Sequence, residues 1–178
     1  RIKEKYIQFL ELCQKANVTA LNVGLESGSF RVRREILRRP RYTNEELIGF
    51  CRTAREYGVA TSLLTLMGVP GETFEDYMET VRVVRELQPE DVQLSIFYPY
   101  LGTDLYNVAQ ERGYVNGDFW KQYTIDGGGV IPQLETETFS AEQLRAYRTK
   151  AYMKFYLRPD LVRRKFSKSE GRAELMEM

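Results

Sequence analysis

Apolar residues recur at helical spacing over 2–16, where Ile2, Tyr6, Phe9, Leu10, Cys13 and Ala16 share one stripe that ends near Asn17. Residues 18–25 (Val-Thr-Ala-Leu-Asn-Val-Gly-Leu) are mostly apolar without clean alternation, which predicts a strand covered on both sides. A basic loop follows. Thr43 or Asn44 then caps a helix carrying Leu47, Ile48, Cys51 and Ala54, closed by Gly58. The next strand runs from Val59 to Met67. Thr73 caps a third helix with Phe74, Tyr77, Met78, Val81 and Val84 on one side, Pro89 stops it, and Val92 to Tyr98 forms a third strand.

Strands alternating with helices imply βαβ units and a parallel sheet. Three strands are too few to close a (β/α) barrel, which takes about 250 residues. Residues 1–113 therefore read as the later part of such a barrel. Past Tyr98 the rhythm changes. Thr103 opens a short helix that Gly113 closes, and 114–139 are irregular, with three glycines at 127–129. Ser140 and Gln143 form a capping box for a long helix through Leu157, which Pro159 ends. Residues 114–178 read as a mostly helical C-terminal extension. Its stretch from Arg158 to Arg172 holds six basic residues against two acidic ones.

Composition narrows the chemistry. The 178 residues include no histidine, which excludes imidazole acid–base catalysis, Ser-His-Asp triads and HExxH zinc sites. Cys13 and Cys51 stand 38 residues apart, too few and too far for an iron–sulfur cluster or a structural zinc. Both fall on inward helix faces and read as small buried hydrophobes. A net charge of +1 gives no general reason for a nucleic-acid or membrane partner. No apolar run approaches the roughly 20 residues of a membrane span, and no signal peptide or disulfide framework is present, so a cytoplasmic location is expected. The chain begins at Arg1 and reads as cut from a longer protein.

Ligands gather at the carboxyl ends of parallel strands. Three turns lie there. Gly24-Leu-Glu26-Ser27-Gly-Ser29 puts a carboxylate where the first strand stops. Leu66-Met67-Gly68-Val-Pro-Gly-Glu-Thr73 offers bare peptide groups against which a flat heterocycle can lie. Phe97-Tyr98-Pro-Tyr-Leu-Gly-Thr-Asp104 is aromatic and stiffened by Pro99. Beside the first turn, Arg31, Arg33, Arg34, Arg38, Arg39 and Arg41 form either a solvated basic face or a grip on a ligand carboxylate or phosphate.

In this order and spacing, the three turns resemble those after the fourth, fifth and sixth strands of a radical S-adenosylmethionine (radical SAM) barrel. Asp118-Phe-Trp120 and Phe155-Tyr-Leu-Arg-Pro159 resemble the tail of the cobalamin-binding branch that includes the anaerobic magnesium-protoporphyrin monomethyl ester cyclases. The resemblance implies a partial radical SAM barrel and an oxidoreductase whose 5′-deoxyadenosyl radical abstracts hydrogen from an organic, porphyrin-like substrate. It places Glu26, with Ser27, at the ribose or amino-acid end of S-adenosylmethionine. Arg38, or its rival Arg39, takes the cofactor carboxylate. Leu66, Met67 and Gly68 pack on adenine, and Phe97 and Tyr98 form the opposite wall.

The family's CxxxCxxC loop, which holds the [4Fe–4S] cluster, is not in these residues. The resemblance thus implies that the cluster belongs to a missing N-terminal part, with cobalamin as a further cofactor of the parent, and that this chain is inactive alone. Expected partners are a small-molecule substrate, the rest of the parent chain and a second copy through exposed sheet edges. No membrane or nucleic acid is expected. The alternative is a half-barrel binding module that docks RNA or a protein without catalysis.

Overall fold

The computed structural model describes residues 2–39, 42–115 and 134–167. Helix α1 (Ile2–Lys15) leads into strand β1 (Ala20–Glu26) and a single π-helical turn (Val32–Ile36). Helix α2 (Asn44–Glu56), strand β2 (Ala60–Met67), helix α3 (Phe74–Leu87) and strand β3 (Asp91–Ile96) follow. Helices α4 (Asp104–Glu111), α5 (Ala141–Tyr156) and α6 (Pro159–Ser167) complete the described residues.

Local chemistry sets the helix starts. Thr43, Thr73 and Ser140 each accept the N–H three residues on, and the side chains of Glu46, Asp76 and Gln143 return the bond. Thr103 caps α4 in the same direction, accepting the Tyr106 N–H at 3.2 Å. Pro159 does not simply stop the long helix. It occupies the first position of α6, where a residue without an N–H is best tolerated.

The strands are all parallel and lie in the order β1-β2-β3. Strictly sequential order is the winding of a barrel, since a doubly wound sheet reverses direction at its centre. This is a partial (β/α) barrel with a helical extension. Helices α1, α2, α3 and α5 pack on one face, while α4 brings Leu105 and Ala109 to the cluster that holds Leu66 at the strand ends of the other. Leu25, Leu63 and Val92 from the strands pack with Cys51 of α2, Val84 of α3 and Phe155 of α5 in the main core. On the other face Ala20, Asn22 and Gln93 are exposed, so the expectation of a first strand covered on both sides is corrected.

The third strand ends at Ile96, two residues short of its expected end. Phe97 still donates its N–H to the Met67 carbonyl at 2.8 Å, and Pro99 then carries the chain away. β3 is an edge strand of this sheet. Tyr152 of α5 meets that edge, its hydroxyl accepting the Leu94 N–H at 2.9 Å. One edge donor is thereby satisfied by the extension rather than by another strand. Cys13 and Cys51 are buried free thiols, as their helix faces predict. The segment 116–133, which includes the glycine run and Asp118–Trp120, lies outside the described residues, as does the tail beyond Ser167.

Candidate functional site at the strand ends

Strand parity decides which side chains reach the concave face. On β1 the helix-facing residues are Leu21, Val23 and Leu25, so Asn22, Gly24 and Glu26 face the other way. The ladder with β2 slips between Gly24 and Glu26, and Glu26 sits at φ 59°. An L-residue pays for that left-handed conformation unless its surroundings hold it. The Tyr42 hydroxyl donates to the Gly24 carbonyl just before it. Gly24 leaves its own face open, and a Cβ there would stand 3.5 Å from Glu26 Oε1.

Glu26 meets Arg39, with Oε1 3.5 Å from Nε. Arg38 turns elsewhere. Its guanidinium pairs with Asp104 at the start of α4, at 2.8 Å, and both side chains are about three-quarters exposed, at 77% and 76%. The two candidate arginines thus take different carboxylates. They nevertheless line one cavity of about 720 Å³, whose apolar wall comes from Leu66 of β2 and Phe97 and Tyr98 after β3. Asp104, Tyr100 and Ile36 complete its mouth.

Not every expected residue arrives there: Glu26 is not a lining residue and borders the cavity only through its ion pair with Arg39. Ser27 is fully buried on the helix side, where its hydroxyl lies 3.1 Å from Thr80 Oγ1, so its side chain holds the turn to α3. Met67 follows the parity of Leu63 and packs with Tyr77, Ile96 and Phe139, away from the concave face. Gly68, at φ 76°, lies against Leu144 of α5 and donates its N–H to Glu72. The Leu66–Gly68 segment therefore presents to the cavity the Leu66 side chain.

The basic loop is corrected most. Residues 32–36 form a π-helical turn, a rare element that is frequent at functional sites. Arg33 is not a solvated charge. It is 1% exposed, donating to the Ser27 carbonyl and, at 2.8 Å, to Asn44 Oδ1, with its guanidinium 5.1 Å from the Tyr42 ring centre. Desolvation lowers its pKa. Arg31 pairs with Asp76 at the start of α3. Burial opposes the Asp76 charge, but Arg31, Ser29 and Thr73 all donate to it, and its pKa falls to about 2.

Sequence reasoning also passed over Glu72. It is 1% exposed, its Oε2 accepts the N–H groups of Gly68 and Val69, and its Oε1 is buried without a hydrogen bond. Burial pushes its pKa up to about 7. The only sequence signal was a glutamate four residues beyond a turn glycine. Asp104 was hidden in the same way, as the first residue after a helix cap.

An apolar wall beside two guanidinium groups and a carboxylate suits a ligand with a flat heterocycle at one end and charged groups at the other. The volume lies within the about 300–1,000 Å³ usual for small-molecule clefts. S-adenosylmethionine fits that description. An iron–sulfur cluster does not fit these residues. Burial raises the Cys51 thiol pKa to about 11, Cys13 is buried in a separate cluster, and no metal-ligating group of three forms among the described residues. No described helix is long and apolar enough to cross a membrane.

A sequentially wound parallel sheet with a crevice at its strand ends is a segment of a (β/α) barrel. Residues 3–84 match the radical SAM superfamily, so this stretch is part of a radical SAM domain. It is 30% identical over 139 residues to a protein of Pyrococcus horikoshii described as an uncharacterized methyltransferase, covering 78% of this chain and 29% of that one. It is 34% identical over 86 residues to the tRNA-2-methylthio-N(6)-dimethylallyladenosine synthase of a Sulfurihydrogenibium species, covering 47% of this chain and 19% of that one. The corresponding synthase of Thermotoga petrophila is 35% identical over 86 residues, again 47% and 19%. The chain spans less than a third of the length of these curated relatives.

Proposed function

We propose that this chain supplies one wall of the S-adenosylmethionine site in a radical SAM enzyme that transfers a one-carbon or methylthio group to an organic substrate. The carrying observation is the cavity that gathers Arg39, ion-paired to Glu26, and Arg38 beside Leu66 and Phe97. When bound, S-adenosylmethionine supplies a methyl group and, on one-electron reduction, a carbon radical. Leu66 and Phe97 exclude water from the heterocycle. Arg39 receives the cofactor carboxylate, with Arg38 held in reserve by Asp104, and Glu26 takes the ribose or amino-acid end. The cluster loop comes from residues outside this stretch.

Group transfer replaces the oxidative chemistry suggested by the cyclase resemblance. The relatives are described as a methyltransferase and as methylthio-adenosine synthases, and neither description supports a porphyrin-like substrate or cobalamin. A second reading, with tRNA as substrate, rests on the synthase relatives, whose match covers 86 residues.

The test uses the full-length enzyme with its cluster assembled. S-adenosylmethionine is titrated by calorimetry against the parent and against Glu26→Gln, Arg38→Ala and Arg39→Ala. Charge-assisted bonds at half-exposed side chains are worth about 1 kcal/mol, so Glu26→Gln and Arg39→Ala should each weaken binding about fivefold. A smaller effect is expected for Arg38→Ala. Unchanged affinity in all three variants overturns the assignment. Incubation with methyl-labelled S-adenosylmethionine then separates the substrates: label in tRNA favours the second reading, and label in small molecules favours the first.

A further inference from the structure

Glu26 needs outside help to hold its position. It ends a strand at a ladder slip, in the left-handed region, with a glycine two residues before it. Nothing in its own side chain fixes the backbone there, and a half-exposed partner such as Arg39 is too loosely held to do so.

Two residues outside the cavity grip the backbone on either side. The Tyr42 hydroxyl donates to the Gly24 carbonyl, two residues before Glu26. Arg33 donates to the Ser27 carbonyl, one residue after it. The two grips are joined. The Arg33 guanidinium lies 5.1 Å from the centre of the Tyr42 ring and donates to the Tyr42 carbonyl at 3.4 Å. Its other nitrogen binds Asn44 Oδ1 at 2.8 Å, and the Asn44 amide donates to the Gly28 carbonyl at 3.0 Å. Asn44 is the first residue of α2, whose start is fixed by the Thr43–Glu46 capping box. The turn that carries Glu26 is therefore referenced to the end of a helix.

A fully buried guanidinium with no carboxylate among the described residues within ion-pair distance is costly, and a purely structural site is better filled by an apolar side chain. The fork reaches two carbonyls, an amide oxygen and a ring at once, which an apolar side chain cannot do. We propose that Tyr42 and Arg33 are positioning residues for Glu26: they clamp the carbonyls of Gly24 and Ser27 so that the Glu26 carboxylate stands toward Arg39 and the cofactor. Neither residue lines the cavity. The inference rests on the reading of Glu26 as a cofactor contact, and the test separates the two.

Glu26→Gln, Tyr42→Phe and the double variant are prepared in the full-length enzyme. Calorimetric Kd for S-adenosylmethionine, KM against kcat, and thermal unfolding are measured on each. Tyr42→Phe removes one hydroxyl and keeps the ring over Arg33, so the fold should survive. Loss of one hydrogen bond should weaken cofactor binding about two- to fivefold, no more than Glu26→Gln itself, raising KM and leaving kcat unchanged. The double variant should bind no more weakly than Glu26→Gln alone, because Tyr42 acts only through Glu26. Arg33→Gln, whose amide can serve one carbonyl only, gives a second arm with the same expected coupling. If Glu26→Gln weakens binding while Tyr42→Phe does not, or if the two effects add in full, the clamp is overturned and the cofactor contact stands. If Glu26→Gln leaves Kd unchanged, the cofactor contact falls and the clamp falls with it.

Discussion

Glu72 Oε2 accepts the Gly68 N–H at 2.6 Å and the Val69 N–H at 3.3 Å, closing the turn after β2 around a buried carboxyl group. The same turn starts from Met67, whose carbonyl receives the N–H of Phe97. The buried carboxyl group thus closes the turn directly after the backbone bond that joins the end of β2 to Phe97 of the aromatic wall.

That carboxyl should leave a mark on the pH dependence of stability. Burial raises its pKa from 4.5 to about 7, so the folded state holds the proton where the unfolded state has lost it. Its contribution is full below pH 4.5 and is lost as pH rises through about 7. The whole step is on the order of 3 kcal/mol. Urea unfolding on the two sides of this window should show the decline. Glu72→Gln, which keeps an acceptor for Gly68 and cannot ionise, should flatten it.

Asp76 should act with the opposite sign at lower pH. Desolvation works against its charge, but donors from Arg31, Ser29 and Thr73 hold its pKa at about 2 against an ordinary 3.8. Its contribution is present above pH 3.8 and is lost as pH falls toward 2, by about 2 kcal/mol in all. Asp76→Asn should remove most of this acid limb in the same unfolding series.

The turn after β1 should tolerate no side chain at Gly28. A Cβ there would stand 2.6 Å from Thr80 Cα and 2.7 Å from the Glu79 carbonyl oxygen, and both are backbone atoms that cannot yield cheaply. Gly28→Ala should cost about 3 kcal/mol or more. Gly49 lies within α2 with nothing inside 4 Å of such a Cβ, and Gly49→Ala should stabilise by up to about 1 kcal/mol. Thermal denaturation of the pair separates close approach from helix propensity.

Arg33 and its neighbour Arg34 should differ sharply. Arg33→Ala empties a buried site and strips donors from the Ser27 and Tyr42 carbonyls, at a cost of about 2–4 kcal/mol. Arg34 is exposed, and its guanidinium lies 5.8 Å from the Phe30 ring centre. Arg34→Ala should stay within about 0.5–1 kcal/mol. Equal losses in denaturant unfolding would contradict this account of the cluster.

Several features follow from the sequence because they depend on neighbours in the chain. Thr43, Thr73, Thr103 and Ser140 mark helix starts through bonds that span three residues, and apolar periodicity places Cys13, Cys51 and Val84 inward. The strand–helix rhythm yields the parallel partial barrel, and the turns at its strand ends locate the crevice. Only the tertiary structure sorts the residues within those turns. Glu26, Ser27 and Met67 look equally suited to a site, yet strand parity and the ladder slip send Glu26 to the concave face and the other two side chains toward the helices. Six arginines within 11 residues look alike as a string of charges. Among those described, Arg31 goes to Asp76, Arg38 to Asp104, Arg39 to Glu26, and Arg33 into the interior. The partner carboxylates of Arg31 and Arg38 lie 45 and 66 residues away, beyond any local pattern. Burial fixes the remaining charges: Glu72 and Arg33 change character because the sheet and helices exclude water from them, a property that no single residue carries in its name.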